Sequence, residues 1–350
     1  MISAFKNRKV LVTGGLGFIG SNLALRLVRA GARVAIVDSE VAGCGANRHN
    51  IAAAAADLQV IVADVGDAAS FAREIRGCSA IFNLAGEVSH IHSMRDPGRD
   101  AALNAMSQLR FLEECARQEP GVRVVYAGTR QIYGTPQYLP VDERHPIQPV
   151  DFNGVHKYAA TAYHLLWSGL GRIDARVLCL TNIYGPRLAI RLSDQGFLGN
   201  FLRRGLLEQT IEIFGDGRQL RDPVYVDDAV DAFLLAAAAD HPPSRLWNVG
   251  GHQALSVAEI AADIGTAAGA LPPVCRPFPE AHKGIDIGSY CSDSTRIREE
   301  LGWHPQVAFA EGVRRSLEYF QREFPHYLSA ADADCRRILE EAAVLRRLAV

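Results

Sequence analysis

The run Val10-Leu-Val-Thr13 feeds into Gly14-Gly-Leu-Gly17-Phe-Ile-Gly20 and then into a helical stretch from about Ser21. That order of strand, glycine turn and helix can hold a pyrophosphate. Gly14 permits a tight turn, Gly17 lets backbone approach the phosphates and Gly20 lets the helix pack close to the strand, while the helix N-terminus supplies amide donors and a positive dipole end. Glycine spacing alone is a weak sign. Asp38 strengthens it, standing 18 positions after Gly20 at the end of the next strand, where a carboxylate can accept from an adenosine ribose and repel a 2′-phosphate. The cofactor indicated is NAD rather than NADP. Asp64 and Val65 follow a third strand and would lie beside the adenine, although Asp64 is also a residue type that caps turns.

These residues need a scaffold, and the first half of the chain has the pattern for one. Short apolar runs at 9–13, 33–38, 60–64, 80–84, 122–127 and 175–180 alternate with helical stretches at 20–30, 68–75, 100–117 and 154–168. Such alternation builds a parallel sheet covered on both faces. The fold expected is α/β, a Rossmann-type doubly wound parallel sheet with a smaller C-terminal substrate-binding lobe. We place the dinucleotide domain at residues 1–180, with 215–250 returning to it, and the second lobe at 181–330. A terminal helix is expected at 331–350, because the apolar residues of 335–348 recur at helical spacing. Ser256-x-x-Glu259 has the spacing of a capping box, and the proline-rich 271–279 reads as a connector.

Composition removes several other classes. The 350 residues carry 37 Lys and Arg against 39 Asp and Glu, a formal charge of −2, which gives no footprint for a nucleic-acid backbone. No apolar run reaches the ~18 residues that a bilayer span requires, and the opening residues lack a signal-peptide pattern. A cytoplasmic location is the expectation. Seven cysteines, at 44, 78, 115, 179, 275, 291 and 335, are scattered without a C-x-x-C pair, so neither a disulfide framework nor a metal site is indicated.

The glycine turn, Asn83-Leu-Ala-Gly86, Tyr133-Gly134, Asn182-Ile-Tyr-Gly-Pro186 and Gly215-Asp-Gly-Arg-Gln-Leu-Arg-Asp222 occur in an order that resembles the extended short-chain dehydrogenase/reductase family. Within it the likeness is to the NAD-dependent nucleotide-sugar epimerases and dehydratases. The resemblance implies that Phe18, Ile19, Val65, Leu84, Ala85 and Gly86 line the dinucleotide site with the glycines. It also implies that Thr129, four residues before Tyr133, binds the sugar hydroxyl that is oxidised, and that Lys157 holds the nicotinamide ribose. In the family a Tyr stands four residues before that Lys, on the same helix face, and its phenolate takes the proton.

Here that position is Asn153, in Asp151-Phe-Asn-Gly-Val-His-Lys-Tyr158. An amide has no proton equilibrium near neutrality, and Tyr158 is turned about 100° away from Lys157. Glu87 or His90, in the loop Gly86-Glu-Val-Ser-His-Ile-His92, is the first candidate for the missing base, with Lys157 itself as another route. His92, Tyr133 and His156 are also nearby. A protein that binds NAD and a sugar nucleotide without turnover stays open.

Arg130 and Gln131 occupy positions where the family's 4,6-dehydratases carry an Asp-Glu pair, so that chemistry is disfavoured. The implied reaction is epimerisation of a nucleotide-linked hexose through a transient keto sugar, at C4. The stretches Gln195-Gly196 and Gly215–Asp222 are similar to CDP-tyvelose 2-epimerases, which keeps C2 open, and a dehydrogenase or ketoreductase is a further alternative. The resemblance assigns Asn182 and Arg221 to the sugar diphosphate, Tyr290 to the sugar pocket and residues 195–200 to the nucleotide base. Family members pair through the helices corresponding to 100–117 and 154–168, which implies a homodimer.

Overall fold

The strand Lys9–Thr13 pairs in parallel with a neighbour on each side, Leu11 lying opposite both Ala35 and Ile81. It is therefore a central strand, and its Val10, Leu11 and Val12 are buried on both faces. The structure, a computed structural model, describes residues 2–192, 196–279 and 283–328. Gln195 and the helix expected at 331–350 lie outside the described residues.

From Lys9–Thr13 the chain runs first to Arg33–Asp38 and Leu58–Val62 on one side. It then crosses to Ala80–Asn83, Arg123–Thr129, Asp174–Leu180 and Leu246–Val249 on the other, giving a seven-stranded parallel sheet. The direction of travel reverses between Lys9–Thr13 and Ala80–Asn83. In open parallel sheets the carboxyl ends of the strands at such a reversal form a crevice where ligands bind.

Both faces of the sheet are covered. Leu23 and Leu27 of the helix Phe18–Arg29 pack with Phe233 of the helix Val226–Ala238 and with Trp247 on one side. On the other, Phe71, Phe111, Leu112 and Cys115 cover Leu11, Ile81 and Val124. A second core, with Phe201, Leu202, Ile260, Ile264 and Phe320, holds the smaller lobe together, and Ser256 and Glu259 form a reciprocal capping box at the start of Val257–Ala268. Among the described residues no helix is long and apolar enough to cross a membrane.

Three expected elements differ in form. The segment expected as a helix at 68–75 is a 3-10 stretch, Val65–Phe71, followed by one α-turn, Ala72–Ile75, because Asp67 takes a non-helical conformation. The helix expected at 100–117 is Pro97–Ala101, a π-turn Ala102–Met106, and then Ser107–Gln118. Asn104, inside the π-turn, reaches both Asp100 and the Glu87 N–H, a wide turn being a common way to aim a side chain at a site. The 271–279 connector contains a strand, Val274–Arg276, in parallel register with Glu212–Phe214.

The far end of the described chain returns to the glycine turn. The Tyr327 hydroxyl donates to Asn50 Oδ1 at 2.5 Å, and Asn50 Nδ2 donates to the Leu16 carbonyl at 2.8 Å. Beside this link His49 and His326 stack with ring centroids 3.6 Å apart, and His49 Nε2 lies 3.0 Å from Glu323. One donor atom from each of His49, Glu323 and His326 lies within 4.8 Å of the other two.

Candidate active site

The glycine turn is shaped by steric necessity at two of its positions. Gly14 has φ of +67°, and a Cβ there would meet the Leu84 carbonyl oxygen at 2.7 Å, while a Cβ on Gly20 would meet the Gly14 carbonyl oxygen at 2.3 Å. Gly17 differs: a Cβ there would touch only the Gly14 oxygen, at 3.2 Å, so the space in front of it is open for a ligand. Gly17 also caps the helix Phe18–Arg29, which has no side-chain cap and no acidic residue in its first turn. A positive helix end left without a side-chain anion is the donor arrangement that a pyrophosphate satisfies, and the residues present therefore fit NAD.

This turn opens a cleft of 330 Å³ at the strand reversal. Gly14, Gly17, Phe18, Ile19, Gly20, Asp38, Asp64, Val65, Leu84, Ala85 and Gly86 all line it. Asp38 accepts the Leu16 N–H at 3.0 Å and the Glu40 N–H at 2.9 Å, and burial raises its pKa above the usual carboxylate value despite those bonds. Asp64 both lines the cleft and accepts the Gly66 N–H at 2.6 Å, capping the 3-10 stretch.

Below the cleft lies a neutral polar column. Thr13 Oγ1 donates to Asn83 Oδ1 at 2.8 Å, and Asn83 Nδ2 reaches Gln108 Oε1 at 2.6 Å and His164 Nε2 at 3.1 Å. His164 is fully buried, and that burial pushes its pKa down to about 4. Its ring stacks on Tyr126, whose own ring centroid is 5.3 Å from Lys157 Nζ. Lys157 is buried and makes no hydrogen bond among the described residues; burial lowers its pKa to about 8, and Asp100 offsets this in part. A Cβ on Gly86 would lie 3.0 Å from its Nζ, so the absence of a side chain there lets the ammonium reach the cleft.

Thr129, Asn153, Lys157, Glu87 and His90 all line this one cleft, but their surroundings differ. Asn153 is buried, and its amide hydrogens go to the Glu87 carbonyl at 3.0 Å and to Asp100 Oδ2 at 3.1 Å. Glu87 is buried with its carboxylate between Arg99, at 2.9 Å, and His92, at 3.1 Å. Both carboxylate oxygens are thus engaged, Oε2 by Arg99 and Oε1 by His92.

His90 is oriented differently. Its Nδ1 lies 3.0 Å from Asp151 Oδ2, and the Gln131 amide nitrogen is 3.0 Å from that same oxygen and 3.2 Å from the imidazole. Asp151 also caps the Lys157 helix, Phe152–Gly169, by accepting the Gly154 N–H at 2.6 Å. Burial would raise the Asp151 pKa, but the bond to His90 and the His90 charge, with the Gly154 and Gln131 bonds, hold it below the usual value. The other nearby groups turn away: His156 pairs with Asp100 at 2.7 Å, the buried Tyr133 hydroxyl donates to Asn248 at 2.8 Å, and Tyr158 is exposed. Thr129 Oγ1 accepts the Gln131 N–H at 3.2 Å, which leaves its own proton to donate.

Toward the smaller lobe, Asn182 lines the cleft and its buried Oδ1 has no partner. Arg221 and Tyr290 do not reach the wall. Arg221 donates to the Leu220 and Gly288 carbonyls at 2.7 and 2.6 Å, and Tyr290 is fully buried behind Arg130, whose guanidinium carbon lies 4.8 Å from the ring centroid. Asp151 and Asp100 were not singled out from sequence. Asp151 carries a detectable signal, an Asp three residues before a helical glycine at a helix start, whereas Asp100, inside the short helix Pro97–Ala101, has none.

Residues 10–250 match the model of the NAD dependent epimerase/dehydratase family. The chain is 35% identical over 324 residues to a UDP-glucose 4-epimerase of Mycolicibacterium smegmatis, covering 90% of this chain and 99% of that one. It is similar to the crystal structure of a Thermotoga maritima UDP-glucose 4-epimerase with UDP-glucose, with a TM-score of 0.81, 29% identity and coverage of 90% and 99%. The Thermus thermophilus UDP-glucose 4-epimerase in complex with NAD is likewise similar, with a TM-score of 0.79, 27% identity and coverage of 89% and 98%.

Proposed function

The chain belongs to the NAD dependent epimerase/dehydratase family, and on that premise we propose that it epimerises a nucleotide-linked hexose at C4 by reversible oxidation. What carries this reading is the convergence, on one cleft, of the uncapped helix at Gly17, Thr129 at the carboxyl end of its strand, and the unpaired ammonium of Lys157. Bound NAD supplies the hydride acceptor and, in the return step, the hydride donor. Gly14, Gly17 and Gly20 would seat its pyrophosphate, Asp38 its adenosine ribose and Lys157 its nicotinamide ribose.

The remaining chemistry falls to side chains of this chain. Thr129 Oγ1 holds the reacting hydroxyl by a hydrogen bond. His90, with Nδ1 fixed on Asp151, offers Nε2 to the hydroxyl proton, and the Asp151 carboxylate stabilises the imidazolium that results. The same imidazolium returns the proton once the keto sugar has presented its other face. Asn153 holds the Glu87 backbone in place and moves no proton. Asn182 is assigned to the diphosphate and Tyr290 supports the sugar pocket from behind Arg130, while Arg221 would join the diphosphate only by turning from the Leu220 and Gly288 carbonyls.

Incubation of the purified chain with UDP-, dTDP-, GDP- and CDP-hexoses in deuterated water tests this. Isomer formation without accumulation of NADH is expected. Steady NADH release would instead identify a dehydrogenase, and nucleotide binding without any isomer would identify a binding protein.

The same reading includes a cytoplasmic homodimer. Its support is the apolar surface of Phe152–Gly169, where Phe152, Val155, Tyr158 and Leu166 are exposed, with Met106 exposed on the neighbouring π-turn. A paired copy would cover such a face.

A further inference from the structure

We propose that Arg130 receives an oxyanion carried by the sugar itself, so that the preferred substrate is a nucleoside-diphosphate hexuronate rather than a neutral hexose. The inference deepens the function proposed above and rests on it for the reaction, though not for binding.

Arg130 follows Thr129 directly and lines the same cleft. It makes no hydrogen bond and no ion pair within 4.0 Å among the described residues, and its NH1 is buried without a partner. The guanidinium nevertheless sits over a Tyr290 ring that is itself fully buried, its carbon 4.8 Å from the ring centroid. A fixed, partly buried and unpaired positive charge is costly unless a ligand completes it. Burial lowers the Arg130 pKa, and the carboxyl groups of Asp222, Asp151 and Asp286 offset this only from a distance.

None of those three carboxyl groups lies within 4.0 Å of the guanidinium. Asp151 serves His90, Gln131 and Gly154. Asp286 accepts the Gly288 N–H at 3.3 Å and lies 3.9 Å from Arg221. Asp222 accepts the Ser292 N–H through Oδ2 at 2.8 Å and its buried Oδ1 has no hydrogen-bond partner, while burial pushes its pKa up to about 7. The vacancy on Arg130 therefore falls to the substrate.

The place of that vacancy selects the group. Thr129 binds the hydroxyl oxidised at C4, and the next ring carbon, C5, carries either a hydroxymethyl group or, in a uronate, a carboxylate. A guanidinium fork pairs with a carboxylate through two parallel bonds, whereas a hydroxymethyl group cannot neutralise it. Oxidation at C4 makes such a substrate a β-keto acid, which can lose its carboxyl carbon as CO2 when the C5–C6 electron pair moves into the C4 carbonyl. Pairing with Arg130 favours the carboxylate over neutral CO2, so the epimer keeps all its carbons.

The test compares equilibrium binding of UDP, UDP-glucose and UDP-glucuronate, and of the matching dTDP set, to the NAD-loaded chain, with product analysis by mass spectrometry. UDP-glucuronate is expected to bind about 30-fold more tightly than UDP-glucose. Arg130→Met should erase that difference and leave UDP within about twofold, while Arg130→Lys, which keeps the charge, should retain part of it. Equal binding of the two sugars by the wild type overturns the proposal. So does an equal loss of UDP and UDP-glucuronate affinity in Arg130→Met, which would make Arg130 a diphosphate contact. Tight UDP-glucuronate binding with a pentose and CO2 as products upholds Arg130 as the carboxylate's partner but overturns both its retention of the carboxyl carbon and the epimerase reading, and failure of every member to bind overturns all three.

Discussion

His90 Nδ1 lies 3.0 Å from Asp151 Oδ2, the first residue opening a short helix and the second capping a long one, and in the proposed function this pair takes the place of the proton-transfer group that Asn153 cannot supply. His90→Gln should lower kcat by about 10²- to 10⁴-fold, with NAD content and sugar-nucleotide affinity unchanged. Asp151→Asn keeps a helix-capping oxygen and should also lower kcat, by less. Full turnover in His90→Gln would remove His90 from the reaction.

Reintroducing a phenol should not rescue the enzyme. Asn153 is buried between the Glu87 carbonyl and Asp100, so Asn153→Tyr breaks both bonds and overfills the site, at a cost of about 1–3 kcal/mol. We expect a lower melting temperature and no gain in kcat. A gain in kcat would mean that Asn153, not His90, sits at the point of proton transfer.

Lys157 predicts a pH signature in the NAD-free protein. Its pKa is about 8 when folded against about 10.4 when unfolded, so between these values the unfolded chain binds the extra proton and stability rises with pH. Lys157→Met should abolish that rise, increase thermal stability near pH 7, and eliminate turnover. An identical pH profile in the variant would show that the ammonium is not desolvated.

The glycines of the turn should separate folding from binding. Gly20→Ala forces a Cβ to within 2.3 Å of the Gly14 carbonyl oxygen and should destabilise the fold by about 1–3 kcal/mol or more. Gly17→Ala meets only a 3.2 Å contact, so its melting temperature should change little while NAD affinity falls by about tenfold or more. Calorimetry with and without NAD reads both effects.

The sheet was legible because its strands are buried on both faces, which leaves nearly continuous apolar runs such as Lys9–Thr13 and Asp174–Leu180. The cleft was legible for a related reason: Gly14, Asp38, Thr129 and Asn153 all sit at element ends, where the chain order itself places them at the sheet's carboxyl edge. What sequence could not resolve was which of several titratable groups is free. Glu87 and His90 are three residues apart, and only the folded arrangement sets one against Arg99 and the other against Asp151. Arg221 and Tyr290 follow a motif by position, yet Arg221 is held on the Leu220 and Gly288 carbonyls and Tyr290 lies behind Arg130. Local geometry was hardest to foresee in the π-turn, where tertiary bonds of Asn104 override a helical pattern.

The bond from Tyr327 to Asn50, and from Asn50 to the Leu16 carbonyl, joins residues 277 positions apart in the case of the first pair. During synthesis the amino-terminal sheet emerges early, but its glycine turn stays without this brace until residue 327 has left the ribosome. A chain truncated before residue 327 would lack this brace, and its glycine turn is expected to hold the dinucleotide less tightly.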